Sequence, residues 1–167
     1  ATGLPYSPGI LVNGTLYLAD RDGGTSASDP SVSVIRRFNM QTGAPAGEVR
    51  VEKATGFNDL AVAKDGTTYA TVTGSGDGAL VWKITPDGTA SIFAQGLPLV
   101  QPNGIALDPQ GNIVVVNIGN ANVLTYELQA NAAQRLRYPG PDMRRRAEAL
   151  MTDYFRDARR VPRALAA

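Results

Sequence analysis

Two residue types are missing from the chain altogether, cysteine and histidine. The first absence excludes disulfides, thiolate nucleophiles and thiolate metal sites. The second excludes a Ser-His-Asp triad and imidazole metal ligation. Any chemistry must therefore rest on carboxylates, amides, hydroxyls, lysine or a metal held by oxygen. Long apolar runs are missing too. None approaches the length needed to cross a bilayer, so no membrane span is expected.

What is abundant is turn chemistry, with 18 Gly and 11 Pro among 167 residues. An all-β chain needs many turns. The stretch Pro102–Gly119, PNGIALDPQGNIVVVNIG, consists of an apolar run, a Pro-Gln-Gly turn and a second apolar run. Phe57–Gly74, FNDLAVAKDGTTYATVTG, repeats it at an offset of 45 residues, setting Asn58 on Asn103, Leu60 on Ile105, Gly66 on Gly111 and Gly74 on Gly119. A looser third copy is GILVNGTLYLAD, with Gly14 in the turn. Strand-built self-similarity with a period in the forties marks a blade repeat. The expected fold class is all-β and β-propeller-like: about three four-stranded blades over residues 1–128, an incomplete six-bladed ring.

Taken in order, Ile10–Val12 and Thr15–Ala19 flank Asn13-Gly14, a strong hairpin signal. Asp20–Pro30 reads as a solvated polar loop. Its Asp20-x-Asp22-Gly hints at calcium but lacks the remaining EF-hand ligands. Strands are expected at Val32–Phe38 and Glu48–Val51, and a complete second blade between Leu60 and Phe93. GSGDG at 74–78 leads into a strand rather than a helix, so it reads as an inter-strand loop and not a phosphate cradle. Trp82, mid-strand, is expected in the core or between blades. The third blade starts at Gly104 and shows three strands, the last being Val123–Glu127, with no visible fourth.

Charge divides the chain. Residues 1–128 hold 7 Lys/Arg against 11 Asp/Glu, whereas 129–167 hold nine Arg, no Lys and four acids. In this second segment Gly140-Pro141-Asp142 reads as a helix start. Met143, Ala147, Leu150, Met151, Tyr154, Phe155, Ala158 and Val161 make one apolar helical face, which Pro162 ends. The Arg clusters read as the solvated side of an Arg/Ala-rich helix docked over the open blade edge, so no nucleic-acid partner is expected. An anionic surface, or a segment foreign to the fold, are the alternatives.

The chemistry-bearing constellation is the pair Asn58 and Asn103, each placed before the first strand of its blade. Equivalent positions at the starts of channel-lining strands point into one pocket. Amide and carboxylate oxygens there would suit a hard divalent cation. The plain alternative is that both Asn cap turns.

FNDLAVAKDGTTYAT followed by QPNGIALDPQGNIVVVNIG resembles the senescence-marker-protein/gluconolactonase (regucalcin-like) family of six-bladed propellers, over about residues 9–127. The resemblance implies a divalent-metal-dependent lactone hydrolase using calcium or zinc, acting on a small lactone or sugar acid. Asn103 matches a metal ligand of that family. Asn58 matches the amide facing substrate or metal-bound water, with Asp59 beside it in the substrate site. Two of the family's acidic groups have no counterpart: the first-blade ligand, and the later Asp that serves as ligand and general base. The catalytic residue is therefore unassigned, and the chain by itself is expected to be weakly active or inactive. A non-catalytic ligand-binding or interaction scaffold is the other reading.

Open blade edges invite strand pairing, so a homodimer closing a six-bladed ring is an expectation. The chain begins at Ala1 without Met or a basic-then-apolar leader, which reads as a processed or excised product. A periplasmic or secreted setting is favoured over the cytoplasm.

Overall fold

The computed structural model describes residues 9–23, 32–128 and 136–137. It contains three antiparallel four-stranded sheets, each built from consecutive strands. Blade 1 is β1 (Gly9–Val12), β2 (Thr15–Asp22), β3 (Val32–Asn39) and β4 (Pro45–Val51). Blade 2 is β5 (Leu60–Val62), β6 (Thr68–Val72), β7 (Leu80–Ile84) and β8 (Ala90–Gln95). Blade 3 is β9 (Pro102–Leu107), β10 (Ile113–Asn117), β11 (Val123–Tyr126) and β12 (Leu136–Arg137). The strands β1, β5 and β9 face one another, β1 against β5 and β5 against β9. This is the propeller-like architecture that the repeat predicts.

Short polar side chains close the hairpins. The carboxylate of Asp65 accepts the Thr67 N–H at 2.9 Å, that of Asp87 the Thr89 N–H at 3.1 Å, and that of Asp108 the Asn112 N–H at 2.8 Å. Asn39 does the same for Gln41 and Thr42. These are Asx turns, in which the side chain replaces a backbone acceptor. The glycines shared by the repeats answer two separate needs. Gly66 and Gly111 hold φ of +89° and +84° in their turns, a region that disfavours any Cβ. Gly74 and Gly119 lie where a Cβ would come within 2.0 Å of the Gly78 carbonyl oxygen and 2.6 Å of Val100 respectively. The motif's last glycine is thus fixed by close approach.

Side chains alternate across a strand, so each blade offers two faces. Leu60, Val62, Ala70, Val72, Trp82 and Ile84 of blade 2 join Ala19, Ile35 and Val51 of blade 1 in one apolar layer. Ala61, Tyr69 and Val81 face the other way, joining Ile105, Ile113, Val115, Leu124 and Tyr126 of blade 3 in a second layer. Phe93 sits edge-on to both Tyr69 and Tyr126, at 5.4 and 5.5 Å. Blade 2 is consequently buried on both sides, and all five residues of β6 are buried. Trp82 lies in the layer between blades 1 and 2, as expected.

Several boundaries differ from the sequence reading. The polar stretch after Ala19 does not leave the sheet at Asp20: β2 continues to Asp22, where the two carboxylates meet arginines of β3 and β4. Asp20 accepts from Arg36 at 2.6 Å, Arg36 also pairs with Glu48, and Arg50 pairs with Asp22. The calcium hint at Asp20 and Asp22 is thereby answered by an ion-pair ladder. β4 starts at Pro45 and β9 at Pro102, both earlier than patterning suggested. Blade 3 does have a fourth strand, since Thr125 and Tyr126 pair with Arg137 and Leu136. It went unseen because two residues carry no period, and it falls beyond the 128/129 boundary. GSGDG is an inter-strand connection with a single 3-10 turn, Gly76–Gly78. The expected C-terminal helix from Pro141 to Val161 lies outside the described residues. No helix among the described residues is long and apolar enough to cross a membrane.

The Asp65 turn gives a pH signature. Its carboxyl is held below the usual aspartate range, chiefly by the Thr67 N–H. A depressed folded pKa stabilises the fold above the unfolded value and loses that contribution as pH falls through the folded one. Asp65→Ala should lower the urea midpoint at pH 7, and the gap to wild type should shrink as the pH is taken below 3.8. Paired denaturation curves across that window check it.

Candidate functional site at the β5 and β9 strand starts

Asn58 immediately precedes the inner strand β5, beside Asp59, and is exposed. Asn103 is half-buried and is the second residue of β9, inside the strand rather than before it. The difference arises at a register shift between Val115 and Asn117, which lets Pro102 pair with Asn117 and extends β9 backwards.

The two asparagines are joined by their backbones through Asp59 and Thr71. One Asp59 carboxylate oxygen accepts the Leu60 N–H at 2.8 Å, and the other accepts the Ile105 N–H at 3.0 Å across the blade boundary. The fully buried Thr71 hydroxyl donates to the Asn103 carbonyl and accepts the Asp59 N–H at 3.2 Å. The Thr71 carbonyl takes the Asn58 N–H at 2.8 Å. Thr73 adds a bond from its hydroxyl to the Pro102 carbonyl at 2.7 Å. Part-buried, and charge-assisted at Asp59, these bonds fix β9 against β5 and β6.

Of the three residues expected at the site, Asn58 and Asn103 keep their side-chain amides free of hydrogen bonds to any described residue. Asp59 is different, since each of its oxygens already takes a backbone N–H. It acts within this structure as a strand-to-strand bridge. Sequence reasoning passed over Thr71 and Thr73, and only their shared parity on β6 and just beyond it could have drawn attention. It also passed over Asn117, which is fully buried and donates its Nδ2 to the Pro98 carbonyl at 3.0 Å. That bond ties the 96–101 loop to the end of β10, next to the backbone bonds Ile118 N–H to Gln101 and Gly119 N–H to Val100.

As donors, the free amides offer two neutral oxygens of the kind a hard cation accepts. Charge around them is sparse. No group of three or more Asp, Glu, His or Cys able to hold a metal ion occurs among the described residues.

No protein-family model matches the chain, and no curated protein does. Solved structures do. A chain of the nidogen/laminin complex superposes with a TM-score of 0.55 at 20% identity, over 77% of this chain and 46% of that one. Virginiamycin B lyase from Staphylococcus aureus, a β-propeller, gives 0.52 at 13% identity, over 81% and 56%. A structural-genomics protein described as a gluconolactonase gives 0.46 at 19%, over 83% and 65%, too loose a likeness to carry weight. Identities of this order show the fold alone. The chain thus has a β-propeller-like fold and spans about half the length of the first two of these structures, 46% and 56%.

Removing the Asp59 bridge should be costly. Asp59→Ala leaves the Ile105 N–H without its acceptor, and a loss of about 1–3 kcal/mol is expected. Thr71→Val, similar in shape but unable to bond, should fall in the same range. Urea denaturation measures both, and unchanged midpoints would show that the blades are held without these bonds.

Proposed function

We propose that the chain supplies part of the channel rim of a lactone-hydrolysing propeller that works with a divalent cation, calcium or zinc. In this reading Asn103 is the metal ligand, Asn58 contacts substrate or water, and Asp59 stands beside it at the substrate end. The substrate is a small lactone or sugar acid. One observation supports it above the rest: two side-chain amides, both unspent, sit at the same end of neighbouring inner strands whose backbones are locked together.

The donor type fits a hard cation, but the donor charge is low. Affinity follows ligand charge, so binding by this chain alone falls in the weak range, about 10⁻⁴–10⁻³ M. When bound, such a cation polarises the lactone carbonyl as a Lewis acid. The residues of the chain do the rest. Asn58 can donate through Nδ2 to a substrate oxygen and accept from water through Oδ1. Asn103 has its carbonyl on the Thr71 hydroxyl, while its side-chain amide bonds no described residue and can turn toward a ligand. General-base catalysis needs a carboxylate within reach of the attacking water. Asp59 has both oxygens on backbone N–H groups, and Asp20 and Asp22 are held by arginines. Hydrolysis by this chain alone is therefore slow.

That commitment of the carboxylates favours a second reading, a non-catalytic propeller segment that binds a ligand or partner. Calorimetric titration with calcium and with zinc, on wild type and Asn103→Ala, separates the two, with gluconolactone hydrolysis followed in parallel. Weak saturable binding that disappears in Asn103→Ala is expected. No binding at millimolar cation would overturn the lactonase reading and leave the scaffold.

A further inference from the structure

Among the described residues, four buried side-chain polar atoms make no hydrogen bond: Nε of Arg37, Nε1 of Trp82, Oδ1 of Asn117 and Oγ1 of Thr125. The first two are N–H donors on the facing sides of blades 1 and 2. Trp82 is only 5% exposed and lies in the apolar layer between those blades. Buried polar groups are nearly always paired, so donors left alone call for an acceptor. Arg37 owes its place to register. It pairs with Tyr17 of β2 and Gly47 of β4, on the same face as Ile35 and Val49, which turns toward blade 2. Its neighbour Arg36 faces the other way and pairs with Asp20 and Glu48. The Arg37 guanidinium bonds and ion-pairs with no described residue, and the Tyr17 hydroxyl beside it bonds none either.

The surroundings are shaped to hold that cation. Gly47 has φ +107°, and a Cβ there would come within 3.0 Å of Arg37 Nη2, so the missing side chain leaves room for the guanidinium to lie across β4. A Cβ on Gly66 would stand 3.4 Å from the Tyr17 hydroxyl and 3.5 Å from Pro86, which sets the phenol tip against the β5–β6 and β7–β8 turns. Val49 meets the second of these turns at Gly88. The carboxylates of both turns are directed inward, Asp65 onto Thr67 and Asp87 onto Thr85 and Thr89. Lys64, exposed in the first turn, ion-pairs with no described residue. The edge of the seam is therefore rich in donors and positive charge and poor in acceptors.

We propose that Arg37 and Tyr17 form a binding site for a small oxyanion, a carboxylate or a phosphate, at the edge of the seam between blades 1 and 2. A guanidinium presents a planar fork of donors that matches both groups, and the phenol adds one donor more. Both residues are half-buried, so a ligand reaches them from solvent while their charge and dipole stay poorly hydrated. Water can accept their hydrogen bonds but brings no charge to balance the guanidinium. The site lies by the turn that ends β5, whereas Asn58 precedes the start of that strand. It is thus separate from the lactonase reading and does not rest on it.

The chain's single tryptophan, Trp82, lies in the same inter-blade layer and serves as a local reporter. Sodium phosphate and sodium acetate are titrated separately, with sodium chloride at equal ionic strength as control and no divalent cation present. Binding is followed by Trp82 emission and, in parallel, by calorimetry. At least one of the two oxyanions should bind saturably beyond the chloride control, and which one does so names the ligand class. Arg37→Gln should bind it more than about tenfold more weakly, the loss expected for a charged hydrogen-bonding partner. Tyr17→Phe, which removes one neutral donor, should bind it about threefold to tenfold more weakly. Arg37→Lys keeps the charge without the fork and should fall between wild type and Arg37→Gln. Should Arg37→Gln lose its circular dichroism, Arg37→Lys and Tyr17→Phe carry the comparison. A wild type with no saturable response above chloride overturns the proposal. So does binding that the folded Arg37 and Tyr17 variants leave unchanged.

Discussion

The burial of both faces of blade 2 in two separate apolar layers governs what the rest of the chain can do. Each fully buried Val, Leu or Ile side chain contributes about 1.5–3 kcal/mol. The two layers hold a dozen or so such groups between them. A single internal hydrogen bond nets only about 1 kcal/mol. Stability therefore comes from the layers, and the polar bonds decide register and angle. This also explains why β6 reads as an unbroken buried run rather than as the alternation of a half-exposed strand.

Within that frame, the Asp59 and Thr71 bonds do something packing cannot. Aliphatic layers tolerate small slides, whereas a carboxylate accepting two backbone N–H groups from different blades fixes one alignment. The relative placement of Asn58 and Asn103 follows from it. The bridge has a chemical cost, because a carboxylate so engaged is drawn away from ligand duty. The same residue cannot easily serve both as fastener and as base, and here the fastening is what the structure shows.

Much of the fold was legible because the repeat prints itself in glycine. Gly66 and Gly111 mark turns by their backbone sign, and Gly74 and Gly119 mark near-contacts that admit no side chain. The offset-45 repeat, which sets Phe57–Gly74 on Pro102–Gly119, likewise gave the middle blade. What escaped had no local signal. β12 is two residues long, and Asp20 and Asp22 look like loop residues until arginines on β3 and β4 are brought alongside. The register shift that draws Asn103 into β9 is a pairing event, invisible in one strand alone. At the candidate site the asparagines were identifiable by repetition. The partners that orient them, Thr71 above all, were ordinary strand residues whose role appears only when two blades meet.

The topology has a consequence for how the molecule comes apart. Every sheet is built from strands adjacent in sequence, and among the described residues the main contacts between blades join blade 1 to blade 2 and blade 2 to blade 3. Such an array behaves as a line of coupled units, in which an end unit has one supporting contact and a middle unit has two. Opening therefore runs inward from the ends. The amides of β6 and β7 are the last to meet solvent, and blades 1 and 3 can fray without taking the centre with them. Asn103 lies on a terminal unit and Asn58 at the edge of the central one, so the two halves of the candidate site sit on opposite sides of the seam between blades 2 and 3.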